Sequence, residues 1–208
     1  MDLARFVPSA YEQCHPHYDP DPDHFTHGEP LAKSKDGKRN MRAEQLSLLG
    51  MGDYLFFVAS LVLTKKTGYD DRSLSEINAL QKGKRGKYVI GYFEIAGVYE
   101  AREVRGHCAI ARVNNRKPHS DIEAVRSQIL ESAHAKRPWD EFTCAVGVKD
   151  GRKTALLSKA IPITKLGKPF RPNDTGLSLY GNLNFPRGHK WLRDQSKLDL
   201  LLDRCRLP

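Results

Sequence analysis

The sequence predicts a single α+β domain, spanning residues 1–208, with a curved and mostly antiparallel sheet. Two runs of aromatic and branched residues, 54–63 and 88–99, are typical of long buried strands. A capping box at residues 120–123, followed by apolar residues at helical spacing, predicts a helix after them. The length suffices for one sizeable core, and we find no internal repeat or convincing domain boundary.

The first half of the chain predicts two short helices and the two long strands. Residues 42–49 form a short helix closed by Gly50, and the Gly52-Asp53 turn opens the first long strand. A second short helix follows residues 70–73, because Leu74, Ile77 and Leu80 recur at a spacing of three. Glycines inside the second long strand, at 91 and 97, mark positions where a bulge or bend curves the sheet.

The second half predicts a helix, a hairpin and a terminal helix. Ile122, Val125, Ile129 and Ala133 form an apolar stripe at helical spacing behind the Ser120 cap. Apolar residues alternate over 142–148 and resume at 154 beyond Asp150-Gly151, which is typical of a hairpin. Ser196 is the expected cap of a helix over residues 196–206.

Charge and cysteine usage narrow the class of protein. The formal charge of +9 and a pI near 9.4 favour a polyanionic partner such as nucleic acid, although they support solubility equally well. The basic stretches 33–39 and 82–87 would extend a surface that tracks phosphates. The four cysteines form no C-x-x-C pair, and no apolar run is long enough for a membrane span. We therefore expect a soluble cytoplasmic protein with no membrane partner.

The segment from residue 15 to residue 29 is unusually polar, with four histidines, three aspartates and one glutamate. Its prolines favour extended, irregular backbone, and we expect residues 11–30 to pack on the sheet. His15, His17 and Asp19 would point the same way in an extended segment and are weak metal-ligand candidates, without a recognised metal spacing. His17 with Asp19, or His27 with Glu29, would instead suit acid–base work. The alternative is a surface loop that satisfies its own hydrogen bonds.

A late segment, residues 182–191, combines groups suited to nucleic acid. Its amides can bind base edges, its cations can meet phosphate, and its aromatic rings can stack on bases. The alternative is a loop whose tryptophan packs into the core. The candidate binding residues here are Asn184, Arg187, Gly188, His189, Lys190 and Trp191.

Standard nucleotide-hydrolysis, redox and acyl-transfer motifs are absent. The sequence contains no P-loop, no Rossmann glycine fingerprint and no G-x-S-x-G elbow. We therefore predict no cofactor.

The order of five short motifs resembles the third of the nucleotide-modification-associated domain families of bacteria, archaea and phages. The motifs are residues 17–20, 25–29, 46–49 together with 52–57, 88–93 and 184–188. The two long strands are also similar to those of PUA, ASCH and EVE domains, small curved barrels that bind RNA or modified bases. This resemblance implies a PUA-like pseudo-barrel with flanking helices, associated with DNA or nucleotide base modification and holding its ligand in a polar cleft.

The resemblance also implies which residues line that cleft. This chain has His27 where the family pattern has a tyrosine, so a role for an aromatic hydroxyl does not carry over. The implied site residues are His17, Asp19, Thr26, Glu29, Arg187 and His189.

Three functions follow as hypotheses. The first is a module that binds nucleic acid or a modified base, with Trp191, Tyr54 or Phe57 stacking and Arg187 and Lys190 holding phosphate. The second is an enzyme acting on a nucleotide or base, with His17 and Asp19 as an acid–base pair. The third is a structural or partner-binding protein whose histidine-rich segment is a surface loop.

Overall fold

A computed structural model describes residues 20–31, 40–62, 85–104, 107–112, 122–132, 135, 141–150, 153–181, 192 and 194–206. The centre of the fold is a curled antiparallel sheet that forms a half-barrel, with helices packed on it, so the predicted α+β curved sheet is confirmed. The elements in chain order are β1 (Thr26–Pro30), α1 (Met41–Ser47), β2 (Tyr54–Val62), β3 (Arg85–Val104), β4 (His107–Arg112), α2 (Ile122–Glu131), β5 (Glu141–Gly147), β6 (Thr154–Pro162), β7 (Thr164–Lys165), β8 (Lys168–Pro172), α3 (Asp174–Tyr180) and α4 (Gln195–Arg206).

The 20-residue strand β3 organises the sheet. Its first half pairs with β2 and β6, and its second half pairs with β4 and β5, all antiparallel. Strand β1 adds to the other edge of β5, so that the order β1-β5-β3-β2 runs across the half-barrel. The two long strands predicted from the sequence are therefore neighbours.

Two bulges in β3 lie beside its glycines. Phe57 and Val58 on β2 face Gly91 and Val89, so Ile90 is an extra residue on β3. Against β5 the register passes from Ile95 to Gly97, which leaves out Ala96. One extra residue bends a strand and increases its twist, so the predicted curvature at the glycines is confirmed.

The predicted hairpin over residues 142–157 is wrong, because within the described chain β5 and β6 pair with β3 and not with each other. The backbone oxygen of Glu94 accepts a hydrogen bond from the Val148 amide at 2.9 Å, and the Glu94 amide donates to the backbone oxygen of Lys153 at 2.8 Å. The chain therefore leaves β5 and continues along the same edge of β3. That arrangement is available because β3 is long enough for both partners and β1 takes the other edge of β5.

Three apolar clusters hold the helices on the sheet. Leu46 of α1 packs with Ala145 and Val98, and Ile129 of α2 packs with Cys144 and Tyr99 on the opposite face. Strand β5 is therefore covered on both faces, in keeping with its nearly continuous burial. Leu179 of α3 and Leu201 of α4 pack on the first half of β3 around Val89 and Ile163.

Helices α1, α2 and α4 lie where the sequence predicted them, with one change of cap, whereas α3 was not predicted. The Asp194 carboxylate, not Ser196, caps α4, because its Oδ1 accepts from the Ser196 amide at 3.0 Å. These bonds with Ser196 lower the pKa of Asp194. The helix predicted after residues 70–73, and the positions of Ser120 and Ala133, lie outside the described residues. None of the helices in the described part of the chain has the length and apolar character needed to cross a membrane.

Candidate functional site

A basic surface lies at the end of the sheet where β3 begins. From residue 151 to residue 173 the chain carries six lysines and arginines and no carboxylate. Lys165, Lys168 and Arg171 of β7 and β8 are exposed, and Arg85 at the start of β3 is half-buried. We call these four residues the basic ribbon.

Backbone hydrogen bonds dock the β7–β8 turn on β3. The Gly167 amide donates to the Arg85 oxygen at 2.9 Å, and the Ile163 amide donates to the Lys87 oxygen at 2.9 Å. In return the Lys87 amide donates to the Thr164 hydroxyl at 2.7 Å. Gly167 has a φ of +75°, a conformation that glycine adopts without strain in a tight turn. The turn therefore holds the cations of β8 beside those of β3.

The electrostatics of the ribbon favour an anion. Within the described residues, no ion pair involves any of its four cations, whereas Lys153 nearby is paired with Glu94 at 3.0 Å. Burial lowers the pKa of Lys87, whose backbone bonds to Ile163 and Thr164 just before the turn. Like charges held together without counterions create a positive potential that an anionic partner relieves. Leu166, 46% exposed, sits at the tip of the turn between the two lysines.

Thr26 and Glu29 lie on opposite faces of β1. Both are buried, but Thr26 pairs with Val146, on the α2 face, whereas Glu29 pairs with Thr143, on the α1 face. Glu29 Oε1 is 3.9 Å from His27 Nε2 and 3.9 Å from Arg42 Nη1. The two residues that the resemblance implies for one cleft therefore do not share a surface.

The side chains of Tyr54 and Phe57 also project from opposite faces of their strand, β2. The Phe57 ring is buried in edge contact with Phe93, centroids 4.7 Å apart, and with His27 at 5.6 Å. Its faces are therefore occupied by protein. Tyr54 is half-buried beside Phe56 and hydrogen-bonds to Glu94. Of the three predicted stacking residues, Trp191 lies outside the described part of the chain, Phe57 is buried, and Tyr54 is partly open to solvent.

The described end of the histidine-rich segment forms a self-satisfied turn. Asp21 Oδ1 accepts from the amides of Asp23 and His24, and its Oδ2 lies 2.9 Å from His24 Nδ1. Such local bonds match one part of the surface-loop alternative, a segment that satisfies its own hydrogen bonds. The described part is not a surface loop, however, because Asp21 is buried and residues 26–29 are buried in β1. Among the described residues, no group of three histidine, cysteine, aspartate or glutamate side chains is placed to hold a metal ion.

The remaining predicted site residues lie outside the described residues: His15, His17, Asp19, Asn184, Arg187, Gly188, His189, Lys190 and Trp191. The sequence reasoning included Arg85, within the basic stretch 82–87, but missed Lys165, Lys168 and Arg171 of the basic ribbon. The signal was present, since the stretch without carboxylates from 151 to 173 is visible in the sequence, but only the docking of Gly167 on Arg85 shows that its cations join those of β3.

Fold and site together define an α+β protein with a curled antiparallel half-barrel and a basic surface at one end. Comparisons with protein-family models, with curated proteins and with solved structures find no match to this chain.

Proposed function

We propose that this protein binds nucleic acid and that the basic ribbon meets the phosphate backbone. The observation that carries the proposal is the set of four cations, held together by the docked β7–β8 turn, with no ion-pair partner among the described residues. The formal charge of +9 supports the same class of partner. Lysines and arginines that neutralise phosphates release condensed counterions, which is the main source of affinity in such complexes.

The ribbon would position the nucleic acid rather than read its sequence. Contacts from lysine and arginine to phosphate fix register and orientation and carry no base information. Base recognition is left to other groups, and residues 182–191 supply amides and aromatic rings suited to that task. The resemblance to nucleotide-modification-associated domains and to PUA-like barrels supports a partner that carries a modified base.

We do not advance the enzyme as a second candidate. Its acid–base pair, His17 and Asp19, lies outside the described residues. Among the described pairs of this type, Asp21 with His24 uses the Asp21 carboxylate to hold its own turn. His27 Nε2 and Glu29 Oε1 lie 3.9 Å apart, beyond hydrogen-bond distance.

The test removes two cations of the ribbon and compares them with two cations elsewhere. Lys165→Ala/Lys168→Ala is matched by Lys149→Ala/Arg126→Ala, which removes the same charge from the loop after β5 and from α2. Binding to labelled single- and double-stranded DNA and RNA is measured by fluorescence anisotropy at fixed salt. We expect the ribbon variant to bind about tenfold more weakly or worse, since two counterion-releasing contacts are lost. If both variants weakened binding equally, the ribbon cations would act only through the net charge of the protein, and the proposal would be contradicted.

A further inference from the structure

Three polar residues face one another across three strands on the α1 side of the sheet. Thr143 of β5 lies directly opposite Glu29 of β1 and directly opposite Glu100 of β3. Residues directly opposite in antiparallel strands project from the same face, so the three side chains form a line across the sheet. We call Glu29, Thr143 and Glu100 the carboxylate row.

The adjacent row on the same face is buried, and apart from His27 it is apolar and belongs to the core. Ala145 lies between His27 and Val98, and both Ala145 and Val98 pack with Leu46 of α1. Moving two residues along β5, from Ala145 to Thr143, therefore leads from the core directly to a row with two carboxylates.

The Thr143 hydroxyl at the centre of the row is buried and has no hydrogen-bond partner among the described residues. Thr143 is 0% exposed, and its Oγ1 makes no hydrogen bond within the described chain. A buried hydroxyl without a partner loses its bond to water and gains nothing in return, so such groups are rare in native proteins. The hydroxyl is the independent sign that this row is prepared for a bound group.

The row changes from buried to exposed along its length. The Glu29 side chain is 10% exposed, whereas the Glu100 side chain is 25% exposed. Arg102 donates to Glu100 Oε2 at 2.6 Å, and Arg42, more than half exposed, lies 3.9 Å from Glu29. A ligand would enter from the Glu100 end, where the row opens to solvent.

The charges of the row define the kind of ligand. Its two carboxylates accept hydrogen bonds and are balanced by Arg102 and Arg42, while exposed Glu141 lies opposite Arg102 and adds a negative charge. An anion is therefore disfavoured, and the preferred ligand is uncharged and donates through N–H groups. The amino edge of a nucleobase has this chemistry, and carboxylates accept from such edges in known base recognition.

We propose that the carboxylate row binds the amino edge of an extruded or free nucleobase, with Thr143 as a central hydrogen-bond partner. This inference rests on the proposed function, because it gives the nucleic-acid-binding protein a site for a single base. The basic ribbon would contact the phosphates, and the carboxylate row would contact only the base.

The test measures binding of free nucleosides to the full chain by isothermal titration calorimetry at high salt, where the ribbon contributes little. We expect cytidine, adenosine and guanosine to bind better than uridine, and each nucleoside to bind at least as well as its monophosphate. Thr143→Val keeps the shape and removes the hydroxyl. It should weaken nucleoside binding severalfold while raising Tm by about 2–4 °C, because an unpartnered buried group is removed. Thr143→Ser, which retains the hydroxyl, should restore the affinity.

A Thr143→Val protein that is more stable but binds nucleosides as the wild type does would overturn the proposal. If that variant does not fold, Glu100→Met at the more exposed end decides, because it removes both acceptor oxygens. Nucleoside affinity should fall, and an unchanged affinity would overturn the proposal. No nucleoside binding, together with salt-dependent binding of DNA or RNA, would reject the row and leave the proposed function standing. The reverse result would reject the ribbon and keep the row.

Discussion

The Tyr54 hydroxyl donates to Glu94 Oε2 at 2.8 Å, across the pair of strands β2 and β3. Lys153 binds the other oxygen of the same carboxylate at 3.0 Å, so a single glutamate ties the start of β2 to the start of β6. Burial and the bond to Glu94 raise the pKa of Tyr54 to about 12, against the opposing effect of Arg206. This polar bridge lies where β3 changes partners from β6 to β5.

The first prediction concerns alkaline pH. The folded-state pKa of Tyr54 lies above its ordinary value of 10.0, so the neutral phenol contributes stability that is complete below pH 10 and is lost as pH rises towards 12. The urea midpoint of the wild type should therefore fall over this range. Tyr54→Phe cannot ionise, and its midpoint should fall less. If the urea midpoints of the two proteins fell in parallel with pH, the hydrogen bond from Tyr54 to Glu94 would not be the cause of the loss of stability.

The second prediction concerns a glycine inside a helix. Alanine normally stabilises a helix by about 1 kcal/mol relative to glycine. At Gly176 in α3, however, an added Cβ would collide with the Ile163 carbonyl oxygen and press on Pro172. Gly176→Ala should therefore destabilise the protein by about 2 kcal/mol, measured by urea unfolding. Ser178→Ala, at an exposed position of the same helix, serves as the control and should change stability by less than about 0.5 kcal/mol. A Gly176→Ala protein as stable as the wild type would mean that α3 does not pack this closely on Ile163.

The third prediction concerns the thiol of Cys205. Burial in the cluster beneath α4 raises its pKa to about 11, against the opposing effect of Arg206. The reactive thiolate is therefore scarce at neutral pH. Alkylation of the Cys205 peptide, followed by mass spectrometry, should be slow at pH 8 in the folded protein and much faster in denaturant at the same pH. Equal rates in the two states would contradict the burial of this thiol.

Local patterns predicted the two long strands and helices α1, α2 and α4, because such patterns depend on residues close together in the chain. They did not predict β4, β7, β8 or α3. The runs at 54–63 and 88–99 became neighbouring strands, and the bulges lie beside Gly91 and Gly97. Period-two alternation would also have separated Thr26 from Glu29, since residues three apart in a strand project from opposite faces.

The pairing of strands that are far apart in the chain could not be predicted from the sequence. The hairpin at Asp150-Gly151 failed because the turn chemistry is local, whereas the pairing of β5 and β6 with β3 depends on distant segments. The carboxylate row joins residues 29, 100 and 143, and its register follows only from the assembled sheet. The spacing of Glu29, Glu100 and Thr143 along the chain carries no such signal.

The most direct test of the central claim is the salt dependence of nucleic-acid binding by the wild type and by Lys165→Ala/Lys168→Ala. For duplex DNA, log Kobs should fall linearly with log salt, and the slope should become less steep by about 2 when two phosphate contacts are removed. Lys149→Ala/Arg126→Ala should keep the wild-type slope. A wild-type affinity that does not change with salt, or identical slopes for the wild type and the ribbon variant, would contradict phosphate binding by the ribbon.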